Sequence, residues 1–198
     1  PVPCIGTSLP ATRAPSARDA AAADPAATPA TQSSAPALHA EICCGRISHL
    51  RSKLLRDPTA IGLAIDVLSE SECLDALDLP KDVRDRIRFV QLNCTHLDYK
   101  RFKQLVRQHL HASPEQLSTV HASPPCTTYS DAHHGHNPHR IRLVPRAGKD
   151  GDLARAHDKL NEVVLDTLRQ LSRHVHTPVI SVENPHNLWR YSKPVMCL

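Results

Sequence analysis

From Leu38 onward, short apolar runs alternate with helix-like stretches, and this alternation restricts the fold more than any other feature. The runs are LHAEICC, AIGLAIDV, RFVQL, LSTVHAS and TPVISVEN. Between them lie SHLRSKLL, PKDVRDRI, LDYKRFKQLVRQHL and the long stretch GDLARAHDKLNEVVLDTLRQLSRHV. The third of these carries Phe102, Leu105, Val106 and Leu110 at helical spacing. The fourth carries Leu160, Val163, Val164, Leu168 and Leu171. Strands separated by helices need crossover connections, so the pattern predicts a mostly parallel sheet in an α/β layer fold. In open sheets of that kind, ligands sit beyond the carboxyl ends of the strands. Glu41, Asp66, Asn93, Cys126 and Glu183 all fall at or near those ends.

The rest of the chain adds context. Its 198 residues suit one domain of ordinary size. Residues 1–38 are mostly Ala, Pro, Ser and Thr and bury too little to offset chain entropy, so they are expected to form a disordered tail. Residues 39–198 are expected to form the folded domain. Lys and Arg total 24 against 20 acids, a mildly basic balance compatible with a polyanionic partner. The seven cysteines include no Cys-x-x-Cys pair, so no metal framework is expected. No apolar run has the length of a membrane span and no export signal is visible. Reduced thiols and a cytoplasmic or nuclear location are therefore expected, as is a monomer. The chain starts at Pro1 and stops at Leu198 without an obvious closing element, which reads as a fragment.

Each strand end has its own chemistry. In EICCGRIS, Gly45 allows close backbone approach to a ligand and the helix start favours an anion, or it is simply a turn glycine. Asp66 can accept two hydrogen bonds from ribose hydroxyls, or cap a helix. Asn93 can read an adenine edge or sit in a turn, while Asp98 suits a helix N-cap. Pro124 and Pro125 fix two φ angles and present Cys126 stiffly, although a free cysteine also commonly fills a core. Glu183 closes a run, VISV, that reads as fully buried. Burial raises a carboxyl pKa and makes a proton donor near neutrality; the other reading is a salt-bridged or capping acid. The stretch from Asp131 to Lys149 holds His133, His134, His136, His139, Arg140, Arg142, Arg146 and Lys149, and reads as a mobile basic loop able to touch phosphates.

Two of these motifs, SPPCTTYS at 123–130 and VENPHNLW at 182–189, resemble the Pro-Cys and Glu-Asn motifs of DNA cytosine-5 methyltransferases. The resemblance covers about residues 40–190 and includes EICCGRIS, Asp66 and QLNCTHLD as weaker cofactor segments. It implies a Rossmann-like methyltransferase fold and methyl transfer from S-adenosylmethionine to cytosine in DNA. Cys126 would attack carbon 6 of a flipped-out ring, and Glu183 would hold nitrogen 3. Glu41, Gly45, Asp66 and Asn93 would line the cofactor site.

The departures are specific. Ile47 stands where the family has a glycine, with Arg46 beside it, Asn93 where it usually has aspartate, and Pro185 where valine is common. Counterparts of the family's arginine motif and target-recognition region would fall after Leu198, so the resemblance implies the N-terminal portion of an enzyme or a truncated, inactive relative. Two alternatives stay open: an amino-methyltransferase, and a catalytically inactive protein that keeps the fold to bind cofactor or nucleic acid.

Overall fold

A parallel five-stranded sheet carries the structure. The computed structural model describes residues 35–128, 139–141, 144–175 and 178–183. The strands are β1 (Leu38–Ile42), β2 (Ile61–Asp66), β3 (Ile87–Gln91), β4 (Leu117–Ala122) and, after a short hairpin, β7 (Val179–Val182). Their spatial order is β3-β2-β1-β4-β7, and every pairing is parallel. The chain lays β2 and β3 on one side of β1, then crosses to start β4 on the other. The connections that leave the carboxyl ends of β1 and β4 therefore run to opposite faces of the sheet at a topological switch point, where a crevice opens.

Helices cover both faces. On one side pack α4 (Tyr99–Leu110) and α5 (Asp152–His174). Phe102, Leu105 and Val106 from α4 meet Val164, Leu168 and Leu171 from α5 over Ala40, Ile42, Ile65 and Val120. On the other side pack α1 (Ser48–Arg56), α2 (Glu70–Leu74) and α3 (Lys81–Arg84). There Leu50, Leu54, Cys73, Leu74 and Val83 enclose Ala64 and Ile87. The helical stripes of α4 and α5 thus bury as their spacing predicts, except that Leu110, Leu160 and Val163 are only partly covered. Asp98 caps α4, accepting from the Arg101 N–H at 2.7 Å. No helix among the described residues is long and apolar enough to cross a membrane.

Three features depart from expectation. Helix α2 is an extra element, set by a capping box in which Ser69 and Glu72 satisfy each other's backbone N–H groups. The basic stretch is not wholly a loop: Arg140–Ile141 (β5) pairs antiparallel with Val144–Pro145 (β6), and Gly148–Gly151 forms a 3₁₀ turn into α5. His133, His134, His136 and Arg142 lie outside the described residues, as does the tail up to residue 34. Finally, β7 is not buried, since Val179 is 67 % exposed and its neighbours are half-covered. Among the described residues it pairs with β4 on one side only, being last in the sheet order.

The end of α1 shows how polar backbone is satisfied inside the fold. Arg86 donates to the carbonyls of Leu54 at 3.0 Å, Asp57 at 2.9 Å and Ala60 at 3.1 Å. A helix leaves its last carbonyls without intrahelical donors, and this guanidinium supplies them. Arg86→Ala is expected to lower unfolding free energy by about 2 kcal/mol, with Lys restoring only part. Urea unfolding at neutral pH measures both; an unchanged midpoint would remove Arg86 from this role.

Candidate functional site

The crevice at the switch point is a cleft of about 560 Å³. It is lined by the β1 turn (Cys43, Cys44, Gly45, Arg46), the β4 turn (Ser123, Pro124, Pro125, Cys126, Thr127) and Glu183. The volume suits a small organic ligand. Ladder bonds that run past the strand ends hold the two turns together. Ser123 N donates to Ile42 O at 3.0 Å, and Glu183 N to Ala122 O at 2.8 Å.

The β4 turn presents the thiol as the two prolines predict. Pro124 is buried and Cys126 is exposed, the only exposed thiol among the described cysteines. Two residues on, buried Thr128 lies with Oγ1 3.2 Å from His157 Nδ1 on α5, which ties the end of the turn to the longest helix.

The β1 turn is tightly wound. Cys43 and Gly45 both take positive φ, 54° and 46°, and a Cβ placed on Gly45 would meet nothing within 4 Å. Gly45 thus serves the conformation and borders open space, whereas Cys43 holds a left-handed conformation that costs a side-chain-bearing residue. Asp66 fixes this turn. One carboxylate oxygen accepts from Gly45 N at 2.8 Å and the other from Leu68 N at 2.9 Å.

No protein-family profile matches this chain, and no curated protein matches it either. The geometry of the cleft is specific in its own right.

That geometry separates the expected residues. Gly45, Cys126 and Glu183 meet in the cleft, and Asp66 braces its floor. Asn93 does not join them. It is exposed, and its Oδ1 accepts from Thr95 N at 3.0 Å and from Thr95 Oγ1 at 2.8 Å, so it caps a 3₁₀ turn. Glu41 does not line the cleft either. It is fully buried, and its Oε2 accepts from Leu50 N at 2.8 Å in the first turn of α1. That helix has Ile47 at its N-cap, no side-chain cap and no acid in its first turn. Glu41 reaches across from β1 to do what a capping residue would do. Its other oxygen, Oε1, is buried without a partner.

The acidity follows from these placements. Burial pushes the Glu41 carboxyl up to about 7, against the backbone N–H groups of Leu50 and His49, with the charges of Glu183 and Asp66 adding to the rise. The burial expected for Glu183 is absent, because its side chain is 71 % exposed at the end of an edge strand. Sequence reasoning thus assigned the desolvated acid to the wrong strand end.

It also missed a polar stripe beneath the cleft. His121 Nδ1 lies 2.8 Å from Ser181 Oγ, and its Nε2 lies 3.0 Å from Ser123 Oγ and 3.8 Å from Glu183 Oε2. The His49 ring stacks on His121 with centroids 4.4 Å apart, and His39 Nδ1 lies 2.8 Å from Thr119 Oγ1. Burial lowers the proton affinity of all three histidines, that of His49 to about 4, with neighbouring His121 and Lys53 adding to the fall at His49. A period-two signal was present: His39 and Glu41, then Thr119, His121 and Ser123, then Ser181 and Glu183.

Proposed function

We propose that the cleft transfers a methyl group to carbon 5 of cytosine in DNA, with Cys126 as nucleophile and Glu183 as its partner on the ring. The observation that carries this reading is the meeting of an exposed, proline-presented thiol with Glu183 in one cleft beside an open glycine turn. S-adenosylmethionine is the proposed cofactor and would supply an electrophilic methyl group. The residues present fit such a group in part. Gly45 offers an unobstructed backbone, and each Asp66 oxygen keeps a lone pair beyond the backbone N–H it accepts. Glu41 shapes the turn from inside, and Asn93 has no place in the site as described.

The chain's own steps are those of covalent catalysis. The Cys126 sulfur, as thiolate, adds to carbon 6 as nitrogen 3 takes up a proton from solvent, and Glu183 holds the protonated ring there, which leaves carbon 5 nucleophilic. Once carbon 5 carries the methyl group, its proton passes to solvent, the C6–S bond breaks to release the thiolate, and nitrogen 3 gives back its proton, which restores the aromatic ring. The exposure of Cys126 suits a base brought to it from outside, as a flipped nucleotide would be. The mildly basic chain and the Arg146 to Lys149 segment favour a polyanion as the carrier of that base.

A pool of duplexes containing 5-fluorocytosine, incubated with the full-length protein and S-adenosylmethionine, tests this. Fluorine blocks the final elimination, so a denaturation-resistant complex joined through the Cys126 peptide is expected. No complex with DNA would overturn the reading, and a complex with a fluorinated RNA pool alone would change the substrate.

A further inference from the structure

A second constellation lies behind the cleft, on the side of the sheet covered by α1 and α2. Cys44 leaves the β1 turn, Asp66 ends β2, and Cys73 sits on α2, so three separate elements converge. Their ligand atoms, two Sγ and one carboxylate oxygen, all lie within 4.8 Å of one another. All three residues are buried, at 3 %, 6 % and 0 % exposure. We propose that Cys44, Asp66 and Cys73 form a binding site for one thiophilic divalent cation of the zinc class, with a fourth position left for water or another small ligand.

Bond lengths decide whether the cluster can close on an ion. Tetrahedral zinc with Zn–S near 2.3 Å and Zn–O near 2.0 Å sets S···S at about 3.8 Å and S···O at about 3.5 Å. With all separations within 4.8 Å, closing on the ion requires contraction by at most about 1.3 Å, within reach of χ1 adjustments on three side chains. The donor set matches the ion: two soft thiolates and one carboxylate suit zinc or cadmium and disfavour magnesium or calcium. The carboxylate is already oriented by the N–H groups of Gly45 and Leu68, as ligating carboxylates characteristically are.

Without an ion the pair is costly to ionise. Burial holds both thiols protonated, Cys73 at about 11, with the Asp66 charge adding to the rise in each. Binding is therefore an exchange: one divalent cation enters, two S–H bonds break, two metal–thiolate bonds form, and two protons leave to solvent. The site stands whether or not the cleft transfers methyl groups.

The test uses the full reduced chain with cadmium as probe and no nucleoside present, since a nucleoside would draw on the same Asp66 carboxylate. Cadmium–thiolate charge-transfer absorption ignores the chain's many histidines. One ion per chain is expected, with a thiolate band, release of two protons at neutral pH, and displacement by zinc. Cys73→Ala and Asp66→Asn are each expected to weaken binding about tenfold or more, since even substitutions around a metal's ligands cost that much. Cys94→Ala and Cys126→Ser should leave the band unchanged. Absence of the band in the unsubstituted chain, or its persistence in Cys73→Ala, overturns the proposal. If Cys73→Ala does not fold, loss of the band in Cys94→Ala or Cys126→Ser overturns it instead, and its retention with two protons released supports it.

Discussion

Cys126→Ser is expected to reduce methyl transfer to cytosine by at least about 10³-fold, because removal of a nucleophile abolishes a covalent route and leaves only binding and orientation. A serine oxygen can occupy the same place at the end of the Pro124–Pro125 turn, so the fold and the cleft should persist. The difference is chemical: at neutral pH a hydroxyl is far less ionised than a thiol and a weaker nucleophile toward an electron-poor ring. Glu183→Gln should cost less, about 10²-fold, since the amide keeps a hydrogen bond to the ring and loses only the carboxyl's support of the protonated adduct. Transfer of a labelled methyl group to DNA by the full-length protein measures both. Activity of Cys126→Ser within tenfold of the unsubstituted protein would sink the nucleophile assignment.

The sheet was legible because each strand is a short apolar run that stops at a polar residue, and the two longest intervening helices show a 3.6-residue stripe. AIGLAID and LSTVHA became β2 and β4 nearly as delimited. The order of the strands was not legible, since nothing local to LSTVHA says that it pairs with β1 and not β3. VISV misled for a related reason. A mainly apolar run reads as covered on both faces, yet β7 is last in the order of the described strands and its Val179 is 67 % exposed. Helix α2 was readable from Ser69 and Glu72, a capping signal overlooked in a stretch with few apolar residues.

The site divides similarly. Gly45, Cys126 and Glu183 were found because strand ends converge in any parallel sheet. Asp66, expected on a ribose, lies beneath the β1 turn, and its visible partners are backbone N–H groups of its own fold. Glu41 was misplaced because sequence spacing does not show which face of β1 a residue takes. One residue's difference along a strand turns a side chain from the helix α4 side to the helix α1 side. Cys44, Asp66 and Cys73 lacked any recognisable ligand spacing because tertiary structure alone assembles them.

Glu41→Gln is expected to stabilise the protein by about 3 kcal/mol at pH 8 and by less than about 1 kcal/mol at pH 5. In the folded state burial raises this carboxyl from 4.5 to about 7. Between those values the unfolded chain gives up the proton and the folded chain keeps it, so stability falls as pH rises. Below about 4.5 both states are protonated and no cost exists; above about 7 both are ionised and the cost is complete. Glutamine mimics the neutral acid, keeps an acceptor for Leu50 N, and removes this slope. The buried histidines act in the opposite sense. The lowered proton affinities of His39, His49 and His121 preserve stability above about 6.5 and forfeit it as pH falls. Total stability therefore mixes both trends, but the difference between Glu41→Gln and the unsubstituted protein isolates the carboxyl. Urea unfolding of the two chains across pH 5 to 8 reads that difference directly. A gap that stays constant with pH would mean that Glu41 is ionised throughout, held as a charge by the start of α1.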